Sequence, residues 1–74
     1  MSLALTPIAK PVQIRSVRGS GPEACRLMEM GLVDGARAEI IGRAPLGCPI
    51  HVRVNDFSVS IRVEDAALIE VASI

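Results

Sequence analysis

The sequence predicts a mainly β fold: a small barrel of five short strands, with one α-helix inserted after the first strand and a short helical turn before the last. Three observations carry this. Apolar and polar residues alternate in short runs, most cleanly from Ile50 to Val54 and again from Phe57. Only the stretch after Pro22 has helical spacing. The chain is half apolar over 74 residues, which supplies a core. Its short antiparallel strands must then hide their edges, and closing into a barrel does so.

Residues 1–9 have no strong period and contain Pro7, so they are expected to be a loosely ordered lead-in to a single domain, 1–74. Val12, Ile14 and Val17 open the first strand, with Gln13 and Arg15 on its other face. Pro11 stands at the strand start, where its missing N–H does least harm. Ser20 and Glu23 have capping-box spacing. Gly21 as the cap and Pro22 as the first helical residue is the preferred assignment, because a residue before proline avoids the helical region. Ala24, Leu27, Met28 and Gly31 follow as an apolar stripe, with Glu23, Arg26 and Glu29 on the polar face. Gly31 can take positive φ and end the helix, folding Leu32 back onto Leu27.

Asp34-Gly35 signals a turn. Ala36, Ala38 and Ile40 then alternate with Arg37, Glu39 and Ile41 as a second strand. Ile50, Val52 and Val54 face inward, His51, Arg53 and Asn55 outward, and Asn55-Asp56 suits a tight hairpin turn. Phe57, Val59, Ile61 and Val63 form the next inward face, opposite Ser58, Ser60 and Arg62. Glu64 to Leu68 reads as a helical turn, and Ile69 with Val71 as the last strand. The whole is a small SH3-like barrel with no internal repeat.

Composition removes several functions. Eight acidic and eight basic residues give zero net charge, with no basic block to neutralise phosphates, so no nucleic-acid partner is expected. Phe57 is the only aromatic residue. Base-stacking platforms and grooves for proline-rich peptides both need more. No apolar run approaches the roughly 20 residues of a membrane-crossing helix, and Met1 to Leu5 is too short for a signal core and lacks a basic start. The chain therefore reads as cytoplasmic, with Cys25 and Cys48 as reduced thiols rather than a disulfide.

The stretch "APLGCPIHVRV", Ala44 to Val54, holds the remaining chemistry. Cys48 and His51 are soft ligands, and Cys25 could add a third, for ferrous iron or zinc. A closed tetrahedral site wants four ligands, and positions 48 and 51 of an extended strand point to opposite faces. No bound cofactor is expected beyond weak binding of such an ion. No catalytic residue is assigned: Cys25 and the single histidine lack an orienting third group. Gly19-Ser20-Gly21 does not cradle phosphate, since Pro22 removes an N–H and no GxxxxGK[ST] follows. Leu46 lies between Pro45 and Gly47, in a loop with little room to bury it. It either tucks under the loop to plug one barrel end or meets a partner. Met30 is likewise either a lid on the barrel mouth or an adaptable contact.

The stretches "LMEMGLVDGARAEIIGRAPLGCPIHVRV" and "SVSIRVEDAALIEV" resemble the ferrous iron transport protein A (FeoA) family. Leu27, Met30, Gly31, Leu32 and Gly35 match the family's helix exit; Ala44, Pro45, Leu46, Gly47 and Pro49 match its Ala-Pro-Leu-Gly-Asp-Pro loop; Arg62, Ala66, Ile69 and Val71 match its last segment. Cys48 stands where the family has Asp, and Ile61 where it has Leu. The resemblance implies an SH3-like barrel and a cytoplasmic accessory to a membrane ferrous-iron transporter that carries a GTPase domain. On it, Pro45, Leu46 and Gly47 with Met30 and Leu32 are expected to form one apolar partner-binding surface. With zero net charge and an exposed apolar loop, self-association into a homo-oligomer is also open.

Overall fold

The computed structural model describes residues 1–19 and 21–74. The strands are β1 (Val12–Val17), β2 (Arg37–Arg43), β3 (Ile50–Val54), β4 (Phe57–Ile61) and β5 (Ile69–Ser73). Helix α1 (Pro22–Glu29) follows β1, and the short α2 (Val63–Ala66) precedes β5. All neighbours in the single sheet are antiparallel, in the order β4-β3-β2-β1-β5. The mainly β, five-stranded architecture with one inserted helix and a late helical turn is borne out.

The alternation explains the core. Val12 and Ile14 of β1, Ala38 and Ile40 of β2, Ile50, Val52 and Val54 of β3, Ile61 of β4, and Ile69 and Val71 of β5 are all buried. Their polar neighbours in sequence fall on the opposite face, as a period of two requires. Register shifts between Ile14 and Ser16, and between Ile40 and Gly42, bend β1 and β2 so the sheet wraps this core. Gly21 caps α1 in an extended conformation with Pro22 first in the helix. The alternative Ser20 cap lies outside the described residues. Gly31 takes φ 100, and the Leu32 N–H donates to the Leu27 carbonyl at 3.0 Å, the expected glycine-terminated exit.

Five expectations are corrected. Residues 1–9 are not a loose lead-in: Leu3 is fully buried inside a 3-10 turn, Leu3–Leu5, and Thr6 is buried too. The Val71 N–H donates to the Met1 carbonyl at 2.8 Å, and Ser2 bridges Glu70, so this segment lies along β5. Met28 is exposed, because so short a helix meets the core along the single line of Ala24 and Leu27. Phe57 is 70% exposed although it sits directly opposite buried Val54. Among the described residues β4 pairs on one side only, and Phe57 is left uncovered at its hairpin end. Val63 is not a strand residue but the first of α2. Lastly, β4 and β5 do not pair with each other among the described residues; the Leu3–Leu5 turn packs on β5 and α2, and α2 packs on α1.

Candidate functional site

The loop between β2 and β3 is a built turn. The Gly47 N–H donates to the Ala44 carbonyl at 2.7 Å, which closes a four-residue turn with Pro45 and Leu46 at its centre. Proline pre-sets the first central φ. Gly47 then takes φ 84, a left-handed conformation that costs glycine nothing. The Ala44 N–H donates to the Pro49 carbonyl at 3.0 Å and joins the two arms. Below the turn, Arg43 Nη2 donates to the carbonyls of Ala4 and Thr6 at 3.0 and 3.3 Å, tying the loop base to the N-terminal segment.

Leu46 stands at the apex, 97% exposed. It does not plug the barrel; the turn is too tight to fold its side chain inward. Pro45 is also exposed and Gly47 half-buried. The other expected contact residues separate from it. Met30 is half-buried against the core, and Leu32 is fully buried. Leu32 cannot meet a partner, because the glycine exit that folds it onto Leu27 also carries it inside. The single surface expected from the sequence therefore reduces to the loop and a partly accessible Met30.

Met30 lines a groove of ≈ 510 Å³ that sequence reasoning did not find. Its walls are Arg26 and Leu27 of α1, Ser60 and Ile61 of β4, Arg62, and Asp65 of α2. Asp65 is buried, and accepts hydrogen bonds from Arg62 Nε at 3.3 Å and Nη2 at 3.5 Å, with Arg26 Nη2 at 3.9 Å. The hydrogen bond to Asp65, and then its charge, hold the Arg62 guanidinium above its ordinary pKa. The three-residue spacing of Arg62 and Asp65 was the available signal.

The candidate metal ligands do not converge. Cys25 and Cys48 are exposed free thiols, one on α1 and one in the loop. His51 is exposed on β3, with Nδ1 2.9 Å from Ser60 Oγ across the ladder. Among the described residues no group of three or more His, Cys, Asp or Glu is placed to hold a metal ion. Nor is any helix long and apolar enough to cross a membrane.

A protein-family model, the FeoA domain, matches residues 1–73. The chain is 46% identical over 55 residues to a Porphyromonas gingivalis protein described as a Fe(2+) transport protein A/Fe(2+) transporter FeoB fusion protein. The match covers 74% of this chain and 6% of that much longer polypeptide. The solution structure of iron(II) transport protein A from Clostridium thermocellum superposes with a TM-score of 0.94 at 34% identity, covering 100% of this chain and 46% of that one. A Stenotrophomonas maltophilia FeoA crystal structure, complexed with zinc, has a TM-score of 0.84 at 26% identity, covering 97% of this chain and 89% of its own. That protein is described as an SH3 domain protein and a candidate ferrous iron transport activating factor.

Proposed function

The chain belongs to the FeoA domain family, and on that premise we propose that it is a non-catalytic accessory of ferrous-iron uptake that docks on the cytoplasmic face of a membrane iron transporter carrying a GTPase domain. The observation that carries this reading is the relative in which Fe(2+) transport protein A and the Fe(2+) transporter FeoB form one polypeptide. Fusion makes an encounter between the two modules intramolecular and raises their effective concentration for each other. Physical support comes from the loop. Leu46 is held in the open by a proline, a left-handed glycine and two cross-loop hydrogen bonds, so little ordering entropy is lost when a pocket receives it.

Burying that side chain in a partner contributes about 1.5–3 kcal/mol. Leu46→Ser should therefore leave the circular dichroism spectrum and melting temperature unchanged and weaken binding to the transporter's cytoplasmic portion by about 10–100-fold. Co-purification from cells, with and without iron, reads the same contact without a chosen bait. Equal capture of the transporter by wild type and variant would reject the loop as the docking element.

The zinc in the S. maltophilia relative favours a second reading, a transition-metal site on Cys48 and His51 with Cys25. The exposed and dispersed placement of these residues does not fit a closed site. Titration of the reduced protein with ferrous or zinc ion tests it: stoichiometric binding that Cys48→Ser abolishes would establish this reading.

A further inference from the structure

The two outer strands are treated differently. The edge of β5 is covered: Ser2 bridges Glu70, and the Val71 N–H bonds to the Met1 carbonyl. Among the described residues no strand or bridge pairs with the outer edge of β4, and beside Ser60, Ile61 and Arg62 lies the groove, with Arg26 and Leu27 of α1 as its other wall. β4 is Phe57-Ser58-Val59-Ser60-Ile61, with neither a charge nor a proline to discourage pairing.

The hairpin parity says which backbone groups are free. Asn55-Asp56 is a two-residue turn between paired Val54 and Phe57, so those two exchange hydrogen bonds, as do alternate pairs beyond. The Asn55 N–H, donating to the Arg37 carbonyl at 3.1 Å, confirms that odd-numbered residues of β3 face β2 and even-numbered ones face β4. Hence Phe57, Val59 and Ile61 bond to β3, and the N–H and carbonyl of Ser58 and Ser60 point outward.

We infer that this edge pairs with the same edge of a second copy of the chain, antiparallel about a two-fold axis at Val59. Using both free residues requires Ser58 opposite Ser60 of the other copy, and the remaining pairs then follow without further choice. Val59 meets its own equivalent, and the exposed Phe57 ring comes beside the backbone at Ile61 of the other copy. Just beyond the two strand ends, Asp56 of the hairpin turn comes near Arg62 at the start of α2 of the other copy, an acid beside a base, once on each side of the axis. Both are exposed at this edge; Arg62 keeps donors in addition to those that reach Asp65. The interface is self-complementary, as a two-fold contact must be. It does not rest on the transporter reading.

Sedimentation velocity of the full chain over a wide concentration range tests it. Asp56→Arg sets like charges against each other across the axis without touching the core. Ser58→Pro removes one outward N–H and leaves the bonds to β3, which an edge strand tolerates. The wild type should dimerise with rising concentration, and each variant should weaken that by about tenfold or more at an unchanged circular dichroism spectrum. If Ser58→Pro fails to fold, Asp56→Arg alone decides. Dimers that persist in Asp56→Arg, or a wild type that stays monomeric at millimolar concentration, would overturn the inference. A monomeric wild type whose transporter binding is lost in Ser58→Pro would assign the edge to a partner's strand instead.

Discussion

Single side chains and single φ angles set the exposed features. Gly47 has open space where a Cβ would go, so Gly47→Ala meets no clash and its cost is the left-handed φ alone. That strain is about 1–2 kcal/mol. The variant can relieve it by reshaping the turn, so it should lower the melting temperature only slightly while also weakening any contact made by Leu46. A loop that merely connects strands would show the first effect without the second. Asp65 is the opposite case, a buried carboxylate that serves two guanidiniums. Asp65→Ala removes charge-assisted hydrogen bonds of about 1.5–3 kcal/mol. Both arginines are exposed enough to be rehydrated, which places the expected loss in chemical denaturation at the lower end of that range.

At the scale of elements, the N-terminal segment behaves as part of the barrel. Leu3 is fully buried beside β5 and α2, so Leu3→Ala should cost about 2–5 kcal/mol, measured by urea unfolding. A frayed lead-in would lose nothing. Glu70 on β5 joins this segment electrostatically: its carboxylate accepts from the Met1 ammonium at 2.6 Å and from Arg18 Nη2 at 2.9 Å. The hydrogen bond from the amino terminus, then the charges of that terminus and of Arg18, hold it below its ordinary value of 4.5. A carboxyl depressed in the folded state stabilises fully above its unfolded pKa and loses that contribution as pH falls through the folded one. Wild type and Glu70→Gln should thus differ in stability by a constant amount down to about pH 4.5, and the gap should close below it. The strands and α1 were legible because alternation, a proline at the first helical position and a glycine exit are local signals. The docking of Leu3 was not, since its partners on α2 and β5 lie some sixty to seventy residues away. Phe57 and Ile61 share one alternating pattern, yet only the sheet's strand order decides that Phe57 stays uncovered. The apex position of Leu46 was half legible: proline and glycine marked the turn, but whether its side chain pointed in or out depended on the hydrogen bond that closes it.

The whole molecule combines zero net charge with a neutral apolar apex, Ala44 to Pro49, and with charges spread evenly elsewhere. Association through the apex gains little from long-range steering, so its on-rate should fall in the unsteered range of about 10⁵–10⁶ M⁻¹s⁻¹. Apolar burial is also insensitive to screening, whereas exposed ion pairs weaken as the Debye length shrinks. Binding of the transporter's cytoplasmic portion, measured by biolayer interferometry at low and at high salt, should change little in either rate. The groove supplies the contrast. Arg26 and Arg62 are its exposed cations, and a partner held there by its own carboxylates would leave faster as salt rises. A steep salt dependence that vanishes in Arg26→Ala would move the docking site from the loop to the groove. A flat one that collapses in Leu46→Ser would keep it at the loop, with the rigid barrel serving to hold one leucine where a partner can reach it.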